Sequence, residues 1–312
     1  MRVLVTGGAG FIGSQIVEQF QGRAEVRVID NLRSGRIENL ANFRCDFIKG
    51  SILDRSLVRQ AMEGVDYVFH LAAMISVPES MQKPIECAEI NTLGTLVVIE
   101  EATRARVRKF VFSSSAAIYG DNPAVPKAET MSPEPKSPYA ITKLDGEYYC
   151  QMFAAEQRLR TACLRYFNVF GPRQDPKSQY AAAVPIFLER ALRDEPITIF
   201  GDGEQTRDFI YVKDAAAANI HFATIAELGG VFNVAYGSRI SINDLARTIV
   251  ELAGSRAGIT YREPRPGDVK HSLASTDKLR STGFVPSGSL PKGLQEAIES
   301  CRNGVKFNNK SF

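Results

Sequence analysis

The sequence predicts an α/β protein with a doubly wound parallel sheet, followed by a smaller C-terminal α/β region. Three observations support this fold class. An apolar strand at the N-terminus runs into a glycine-rich turn and then into an apolar segment with helical spacing. Strand-like and helix-like segments then alternate over about half of the chain. After Gly171 the chain is richer in proline and charge, and its predicted helices are shorter. Alternation of this kind is typical of a parallel sheet covered by helices on both faces.

Length and composition fit a globular protein and exclude several other classes. The chain has 312 residues, of which 44% are hydrophobic and 23% are charged, which is ordinary for a folded domain. Its net charge of +3 is small and its basic residues are dispersed, so we expect neither a nucleic-acid nor a membrane partner. The N-terminus begins with a strand instead of a secretory signal, and no apolar stretch is long enough to span a bilayer. We therefore expect a cytoplasmic location.

The cysteines and histidines give no sign of a disulfide framework or a metal site. The cysteines are odd in number and widely spaced, at Cys45, Cys87, Cys150, Cys163 and Cys301. This pattern predicts buried thiols in a reducing compartment. The three histidines are scattered along the chain, which argues against zinc. We predict no metal site.

The first 30 residues carry the pattern of a Rossmann-type dinucleotide site. The strand Arg2–Thr6 is followed by the glycines Gly7, Gly8, Gly10 and Gly13. Glycines let the backbone turn sharply, so that the N-terminus of the next helix can approach two phosphates. Glycine-rich turns also occur without a ligand, but here a second strand ends in Asp30. A carboxylate at that position accepts the ribose hydroxyls of NAD and repels the additional phosphate of NADP. We expect NAD, while Arg33 and Arg36 keep NADP open as a minor alternative.

The alternation continues after Asp30. Strands are predicted at Phe47–Lys49, Tyr67–Leu71 and Lys109–Ser113, and helices at Ser56–Met62, Cys87–Arg104 and Pro138–Gln157. Late strands at Asp208–Val212 and Val231–Val234 are predicted to return to the main sheet. We therefore assign residues 1–170 to an NAD-binding domain, together with returning strands near 206–238. Residues 171–312 are assigned mainly to a substrate domain.

A serine, a tyrosine and a lysine form the predicted catalytic group. Ser137 and Pro138 predict the start of a helix, which places Tyr139 and Lys143 one turn apart on one face. The neighbouring ammonium, together with a bound nicotinamide cation, would favour the phenolate of Tyr139. The phenolate could take the proton of an alcohol while a hydride leaves the same carbon, and Ser115 would hydrogen-bond the reacting oxygen.

The helix that begins at Pro138 also carries apolar residues, and its Tyr-Lys spacing is not unusual by itself. We expect the apolar stripe of this helix to be formed by Ile141, Leu144, Tyr148, Met152 and Ala155. A tyrosine four residues before a lysine occurs by chance in many chains, and serines at strand ends are common as loop caps. Together, Ser115, Tyr139 and Lys143 support a catalytic role, because they follow the glycine-rich turn and Asp30 in the same chain.

Motifs along nearly the whole chain match one known family. They are Thr6–Gly13, Asp30–Leu32, His70–Ala73, Asn91–Thr92, Ser113–Ser115, Ser137–Tyr139 with Lys143, Leu164–Arg173, Gly201–Gly203 with Arg207–Phe209, and Arg265–Asp268. Through them the chain resembles an extended short-chain dehydrogenase/reductase of the nucleotide-sugar epimerase group. Within that group it is most similar to UDP-sugar 4-epimerases, particularly those acting on UDP-N-acetylglucosamine (UDP-GlcNAc), through Ser76–Ser80, Gln174–Pro176 and Tyr180–Ala182.

The resemblance implies roles for individual residues. It implies that NAD contacts Gly7, Gly10, Phe11, Ile12, Gly13, Asp30, Asn31, Ser51, Ile52, Leu71, Ala72, Ala73, Asn91, Lys143 and Tyr166. It implies that the UDP-sugar contacts Ser76, Ser115, Tyr139, Asn168, Gln174, Ala182, Arg207, Arg265, Asp268 and Ser272. Two arginines facing a pyrophosphate also make physical sense, because forked charge-assisted hydrogen bonds are strong.

The loop after Ser115 separates the reactions known in this family. Sugar dehydratases carry an Asp-Glu pair there, and decarboxylases usually carry a Glu, whereas this chain has Ala116 and Ala117. Elimination would lack its proton donor. The resemblance therefore implies reversible oxidation at C4 of a UDP-hexose, with UDP-uronate 4-epimerase or dehydratase as the alternative. A non-enzymatic NAD-binding sensor is a further alternative, although such proteins often lose the Tyr or the Lys.

Three further residues bear on substrate and cofactor. Family members that accept N-acetylated sugars have a small residue at the position of Ser272, so we expect UDP-GlcNAc and its C4 epimer UDP-GalNAc as substrates, and UDP-glucose and UDP-galactose as a possible second pair. Ile75 stands where strict glucose-type relatives often have Lys. Ser51 replaces the usual Asp beside the adenine, which predicts either weaker NAD binding or a slightly different adenine pose. By likeness to the family, the two long helices would pair with a second subunit in a homodimer, although they could equally cover the sheet.

Overall fold

A computed structural model describes residues 1–175, 183–264 and 270–308, with side chains described up to Arg302. Within these residues the strands are β1 (Arg2–Thr6), β2 (Glu25–Asp30), β3 (Asp46–Lys49), β4 (Tyr67–His70), β5 (Lys109–Ser115), β6 (Thr161–Tyr166), β7 (Asn168–Phe170), β8 (Ile197–Phe200), β9 (Thr206–Arg207), β10 (Phe209–Tyr211), β11 (Gly230–Val234), β12 (Ile240–Ser241) and β13 (Ile259–Arg262).

The helices alternate with the strands in the first half of the chain. They are α1 (Phe11–Gln19), α2 (Arg55–Ala61), α3 (Val77–Gln82), α4 (Pro84–Ala88), α5 (Gly94–Arg104), α6 (Pro138–Ala155), α7 (Ala183–Leu192), α8 (Val212–Thr224), α9 (Ile242–Ala253), α10 (Asp277–Ser281) and α11 (Leu290–Asn308). Short 3₁₀ helices span Ile37–Leu40 and Ala116–Tyr119. Among the described helices, none combines the length and the apolar content that crossing a membrane requires.

The main sheet has seven parallel strands in the order β11-β6-β5-β4-β1-β2-β3. Side chains alternate between its faces, as the strand period requires. Val3 and Val5 pack on the side covered by α1 and α8, whereas Leu4 packs on the side covered by α2, α5 and α6. The strand order reverses at β1, which is where a doubly wound sheet opens a crevice at the carboxyl ends of its strands. The predicted fold class is confirmed.

A separate apolar core lies at the C-terminal part of the chain. It packs α7, α9 and α11 around residues of β7, β8 and β10. Beside it are three two-stranded sheets, β10-β7, β12-β9 and β13-β8. This arrangement fits the proposed substrate domain at residues 171–312, and the domain boundary at residue 170 stays a prediction.

One of the two late strands was placed wrongly by the sequence. Val231–Val234, within β11, returns to the main sheet beside β6. The segment predicted at Asp208–Val212 does not return, because its strand β10 pairs with β7 in a small sheet. The edge of β6 is occupied by β11 as far as Phe167, whose backbone N–H bonds to Val234 O at 3.1 Å, and β10 pairs instead with β7, the strand that follows β6.

The helix predicted at Cys87–Arg104 is interrupted. It consists of α4, a π-helical turn at Glu89–Leu93, and α5. The turn places Asn91 in the interior, where its side chain bonds to both backbone polar groups of Met74 at 2.7 and 3.0 Å. The same amide donates to Thr142 Oγ1 on α6 at 3.0 Å. Isolated π turns are frequent at functional sites.

Helix α6 carries much of the apolar stripe named from the sequence on its outer face. Ile141, Tyr148 and Met152 of that stripe are 48%, 55% and 43% exposed. The buried side consists of Ala140, Thr142, Lys143, Gly146, Glu147, Cys150 and Phe153. Gly146 explains this orientation, because a Cβ there would lie 2.2 Å from Phe112 Cζ on β5. The helix therefore approaches β5 through a glycine, and its polar buried residues reach the end of that strand.

Candidate functional site

A cleft of about 730 Å³ opens at the carboxyl ends of β1, β2, β4 and β5. Its lining includes most of the residues predicted for the cofactor, together with two of the catalytic group. These are Gly7, Gly10, Phe11, Ile12, Gly13, Asp30, Asn31, Ser51, Ile52, Leu71, Ala72, Ala73, Tyr139, Lys143 and Tyr166. The size lies within the range of small-molecule sites.

The glycine turn leaves the start of α1 open to the cleft. Gly10 is the N-cap residue, and its N–H bonds to Gly7 O at 3.1 Å. Gly7 has φ +71°, and a Cβ on Gly13 would lie 2.2 Å from Gly7 O. The turn therefore requires glycine at both positions. Free N–H groups at a helix N-terminus attract phosphate, so the residues present fit the pyrophosphate of a dinucleotide.

Asp30 organises the neighbouring loop. Its carboxylate is 7% exposed and accepts hydrogen bonds from the backbone N–H of Ala9 at 3.0 Å and of Leu32 at 2.8 Å. Burial raises the pKa of this carboxyl, against the effect of those bonds. A carboxylate has about four acceptor positions, so capacity remains for a ribose hydroxyl.

Two arginines that could attract a phosphate are already paired with carboxylates. Arg33 bonds to Glu79 at 2.8 Å and also to Glu86. Arg36 bonds to Asp175 at 2.5 Å. Both arginines line the cleft. Because carboxylates neutralise both of them, the geometry favours NAD over NADP.

The three predicted catalytic residues meet at the end of β5. Tyr139 is half-buried and lies close enough to Ser115 for that side chain to lower the pKa of its phenol. Lys143 Nζ donates to Ser113 O at 2.7 Å and lies 5.9 Å from the centre of the Tyr139 ring. Ser115 is also the N-cap of the following 3₁₀ helix, where its Oγ accepts from Ala117 N at 3.1 Å.

Without a bound cofactor, the surrounding protein groups do not lower the pKa of Tyr139 below its ordinary value. Burial raises the pKa of Tyr139, and the side chain of Ser115 opposes this only in part. Burial also lowers the pKa of Lys143, to about 8. The ammonium is directed at a backbone carbonyl and not at the phenol. The expectation that Lys143 and a bound nicotinamide cation together favour the phenolate of Tyr139 stays a prediction.

The predicted substrate residues fall into two groups. Ser76 and Gln174 line the cleft. Ser76 Oγ caps α3 by accepting from Glu79 N at 3.1 Å. Gln174 Nε2 donates to Val169 O at 3.2 Å, while its Oε1 is buried without a hydrogen-bond partner in the described part of the chain. A buried acceptor of this kind fits a ligand that brings a donor.

The second group lies around β9. Asn168 Nδ2 donates to Asp208 O at 2.9 Å, and Arg207 Nη1 donates to Thr206 O at 2.9 Å. Ser272 N donates to the same Thr206 carbonyl at 3.0 Å. The structure thus brings Asn168, Arg207 and Ser272 together. The other predicted members, Ala182, Arg265 and Asp268, lie outside the described residues.

Three of the residues predicted to contact the cofactor form hydrogen bonds within the protein. Asn91 is buried behind the cleft and supports Met74 instead of lining the site. Ser51 lines the cleft, but its Oγ accepts from Leu53 N at 3.2 Å. Tyr166 lines the cleft and bonds through its hydroxyl to Ser113 Oγ at 3.2 Å. Burial raises the pKa of Tyr166 to about 12, so it is neutral at physiological pH.

Asp208 is a residue whose role the sequence reasoning missed. It is fully buried and accepts from the backbone N–H groups of Tyr236 at 3.1 Å, Gly237 at 3.1 Å and Ala274 at 3.2 Å. Burial raises its pKa to about 6. Asp208 therefore ties two loops to the strand that carries Arg207. Its place inside the quoted motif Arg207–Phe209 was the available signal.

Within residues 1–175, 183–264 and 270–308, no cluster of three His, Cys, Asp or Glu side chains could hold an ion. His70, quoted only as part of a motif, is fully buried between two threonines. Its ring bonds to Thr6 Oγ1 at 2.7 Å and to Thr95 Oγ1 at 3.0 Å.

His70 predicts a loss of stability in acid. Burial lowers its pKa from 6.5 to about 3. Between these values the unfolded state binds more protons, so the free energy of unfolding is highest above pH 6.5 and falls as the pH drops towards 3. From about pH 7.5 to about pH 5 we expect His70 to account for a loss of about 2 kcal/mol. Urea unfolding of the wild type and of His70→Asn at both pH values measures this, and an equal loss in the two proteins would contradict it.

Comparison with known proteins places the chain in a family. The profile of the NAD dependent epimerase/dehydratase family matches residues 3–235. A UDP-glucose 4-epimerase of Mycolicibacterium smegmatis is 38% identical over 97% of this chain and 99% of its own length.

Two solved structures are similar to this chain in both sequence and fold. The UDP-N-acetylglucosamine 4-epimerase of Methanobrevibacter ruminantium M1, in complex with UDP-N-acetylmuramic acid, is 41% identical, with a TM-score of 0.94 over 97% of this chain and 98% of that one. The UDP-glucose 4-epimerase of Thermotoga maritima, with UDP-glucose, is 42% identical, with a TM-score of 0.92 over 98% and 100%. With its glycine turn, Asp30 and the Ser-Tyr-Lys group, the chain belongs to the NAD dependent epimerase/dehydratase family.

Proposed function

We propose that this protein is a UDP-sugar 4-epimerase with tightly bound NAD, and that its preferred substrates are UDP-GlcNAc and UDP-GalNAc. The observation that carries the proposal is the placement of Tyr139, Ser115 and Lys143 at the end of β5, beside a cleft that the N-terminus of α1 faces. A proton acceptor, a hydroxyl donor and a dinucleotide-shaped site then share one edge of the sheet. The family and its similar proteins, named above as 4-epimerases, support the same reaction.

The residues of the cleft fit the cofactor. The start of α1 would hold the pyrophosphate, Asp30 would accept a ribose hydroxyl, and Lys143 would lie beside the nicotinamide ribose. When bound, NAD accepts the hydride of C4 and returns it to the sugar, so that no cofactor is consumed. Its positive ring would also supply the charge that Tyr139 requires.

Tyr139 would move the proton of the reaction. Its phenolate accepts the proton of the sugar O4, and the hydroxyl of Ser115 holds that oxygen by a hydrogen bond. Together with the loss of the C4 hydride to NAD, this proton transfer would give a 4-keto sugar. The sugar would rotate within the site and take the same hydride back on its other face, while Tyr139 returns the proton. Lys143, bound to Ser113 O at 2.7 Å, holds its charge beside the cleft without binding the phenol.

The loop after Ser115 supports epimerisation over elimination. Ala116 and Ala117 begin the 3₁₀ helix and carry no group that could protonate a departing hydroxyl. On the nucleotide side, Asn168 and Arg207 are the described residues proposed to bind UDP, and Arg265 is proposed with them. Ser76, Gln174, Ala182 and Asp268 are proposed to surround the rest of the substrate.

Ser272 is proposed to set the choice of sugar, because a small side chain leaves room for an acetamido group. Purified protein supplied with UDP-GlcNAc should form UDP-GalNAc. Ser272→Tyr should lower kcat/KM for UDP-GlcNAc by about 100-fold and that for UDP-glucose by less than about 3-fold, since one misfitting group costs 1–3 kcal/mol. Ser272→Ala is the matched control and should retain both activities. A wild-type protein that converts UDP-glucose but leaves UDP-GlcNAc untouched would contradict the role of Ser272.

A homodimer in the cytoplasm is proposed as the working form. The outer face of α6 exposes Ile141, Tyr148 and Met152, and Ile85 and Leu93 are 75% and 51% exposed. Large apolar groups of this kind commonly mark an interface. Tyr148→Glu together with Met152→Glu should convert the dimer to a monomer, as analytical ultracentrifugation can show. A wild-type chain that sediments as a monomer would contradict the proposal.

The cysteines, all free thiols in the described residues, suit a reducing compartment such as the proposed cytoplasm.

A further inference from the structure

A buried ion pair lies below the catalytic residues. Arg165 on β6 binds Glu147 on α6 through two hydrogen bonds, with Nε to Oε1 at 2.8 Å and Nη2 to Oε2 at 2.7 Å. The two side chains are 5% and 1% exposed. Neither residue lines the cleft. The fork-to-fork geometry is the strongest and most directional form of this contact.

Each member of the pair also binds an element that carries a catalytic residue. Glu147 Oε1 accepts from Ser114 Oγ at 2.5 Å, and Ser114 precedes Ser115 on β5. Arg165 Nη1 donates to the hydroxyl of Tyr119 at 2.9 Å. Tyr119 ends the 3₁₀ helix that Ser115 caps. The backbone on both sides of Ser115 is therefore held by one ion pair.

The same pair fixes the catalytic helix. Tyr139, Lys143 and Glu147 follow one another at intervals of four residues, so they share one face of α6. Arg165 lies directly opposite Ser114 in the pairing of β6 with β5. The helix that presents Tyr139 and the strand that presents Ser115 thus meet at Glu147.

Stability does not explain this arrangement. Taking two charges out of water costs several kcal/mol per ion, and apolar replacements of similar volume are often neutral or stabilising. Around this pair the neighbouring residues Phe153, Cys150 and Cys163 are all buried. An apolar contact would hold α6 on the sheet, but it would not fix the distance between two side chains. Directional hydrogen bonds do so.

We propose that Glu147 and Arg165 form a positioning pair that sets the distance between Ser115 and Tyr139. The inference rests on the proposed function, because it concerns the same proton transfer. Ser115 stands at the last residue of β5, where the strand ladder ends and side-chain contacts must fix the backbone. Small displacements of reacting groups have large effects on rate.

The first test replaces the charge but keeps the shape. Glu147→Gln should lower kcat for the UDP-sugar by about 10- to 100-fold while KM changes by less than about 2-fold, because the pair does not touch the substrate. Bound NAD per folded chain should be unchanged. The matched control is Glu101→Gln, which alters another buried carboxylate. Glu101 is bound to Arg55 at 2.7 Å and to Arg59 at 3.0 Å, both on α2. That variant should lose stability and keep kcat.

The second test separates position from folding. The double variant Glu147→Leu with Arg165→Met removes both charges and should unfold at a temperature equal to or above that of the wild type. Its kcat should still fall. Its Tyr139 should ionise at higher pH in an ultraviolet titration, read as the difference from the same protein carrying Tyr139→Phe, because Ser115, which lowers the pKa of Tyr139, would lie farther from the phenol.

The outcomes distinguish the two claims. A double variant with the kcat and the Tyr139 titration of the wild type would overturn the positioning role. So would a Glu147→Gln protein whose only defect is a lower melting temperature. A wild type that has no epimerase activity would instead contradict the proposed function, and in that case the titration of Tyr139 alone decides the positioning role.

Discussion

The contact between α6 and the carboxyl end of β5 is the constraint on which the site depends. Gly146 allows the close approach, since any side chain there would collide with the ring of Phe112. Three polar contacts then join the two elements, from Lys143 to Ser113 O, from Ser114 to Glu147, and between Tyr139 and Ser115. Because all of them fall within three consecutive strand residues, the helix has one allowed position.

The order of the strands in the main sheet places the contact between α6 and β5 beside the cleft. The strand order reverses at β1, so the glycine turn after β1 and the polar end of β5 open into the same cleft. Arg33 and Arg36, which line the cleft, are both paired with carboxylates. Burial acts on both catalytic groups, raising the pKa of Tyr139 and lowering that of Lys143. A cofactor with a positively charged nicotinamide ring suits such a site, since the charge of that ring favours the phenolate.

Local sequence patterns predicted the parts of this fold that depend on local structure. The glycine turn, Asp30 at the end of β2, and the start of α6 at Ser137 follow from short-range rules and were all placed correctly. Hydrophobic periodicity located the apolar residues of α6 but not the direction in which they face, and Ile141, Tyr148 and Met152 lie on the outer face. The pairing of β10 with β7, the π turn at Asn91 and the Glu147–Arg165 pair depend on contacts distant in sequence, which no local pattern reports. The pKa of Tyr139 depends on burial, which a sequence does not contain.

The central claim is that the oxygen of Tyr139 moves the sugar proton. Its most direct test is kcat for interconversion of UDP-GlcNAc and UDP-GalNAc by Tyr139→Phe, compared with Tyr148→Phe, which alters an exposed tyrosine of the same helix that is 55% exposed. The account predicts that Tyr139→Phe loses at least about 100-fold in kcat with NAD still bound, while Tyr148→Phe retains the wild-type rate. Undiminished turnover by Tyr139→Phe would contradict it.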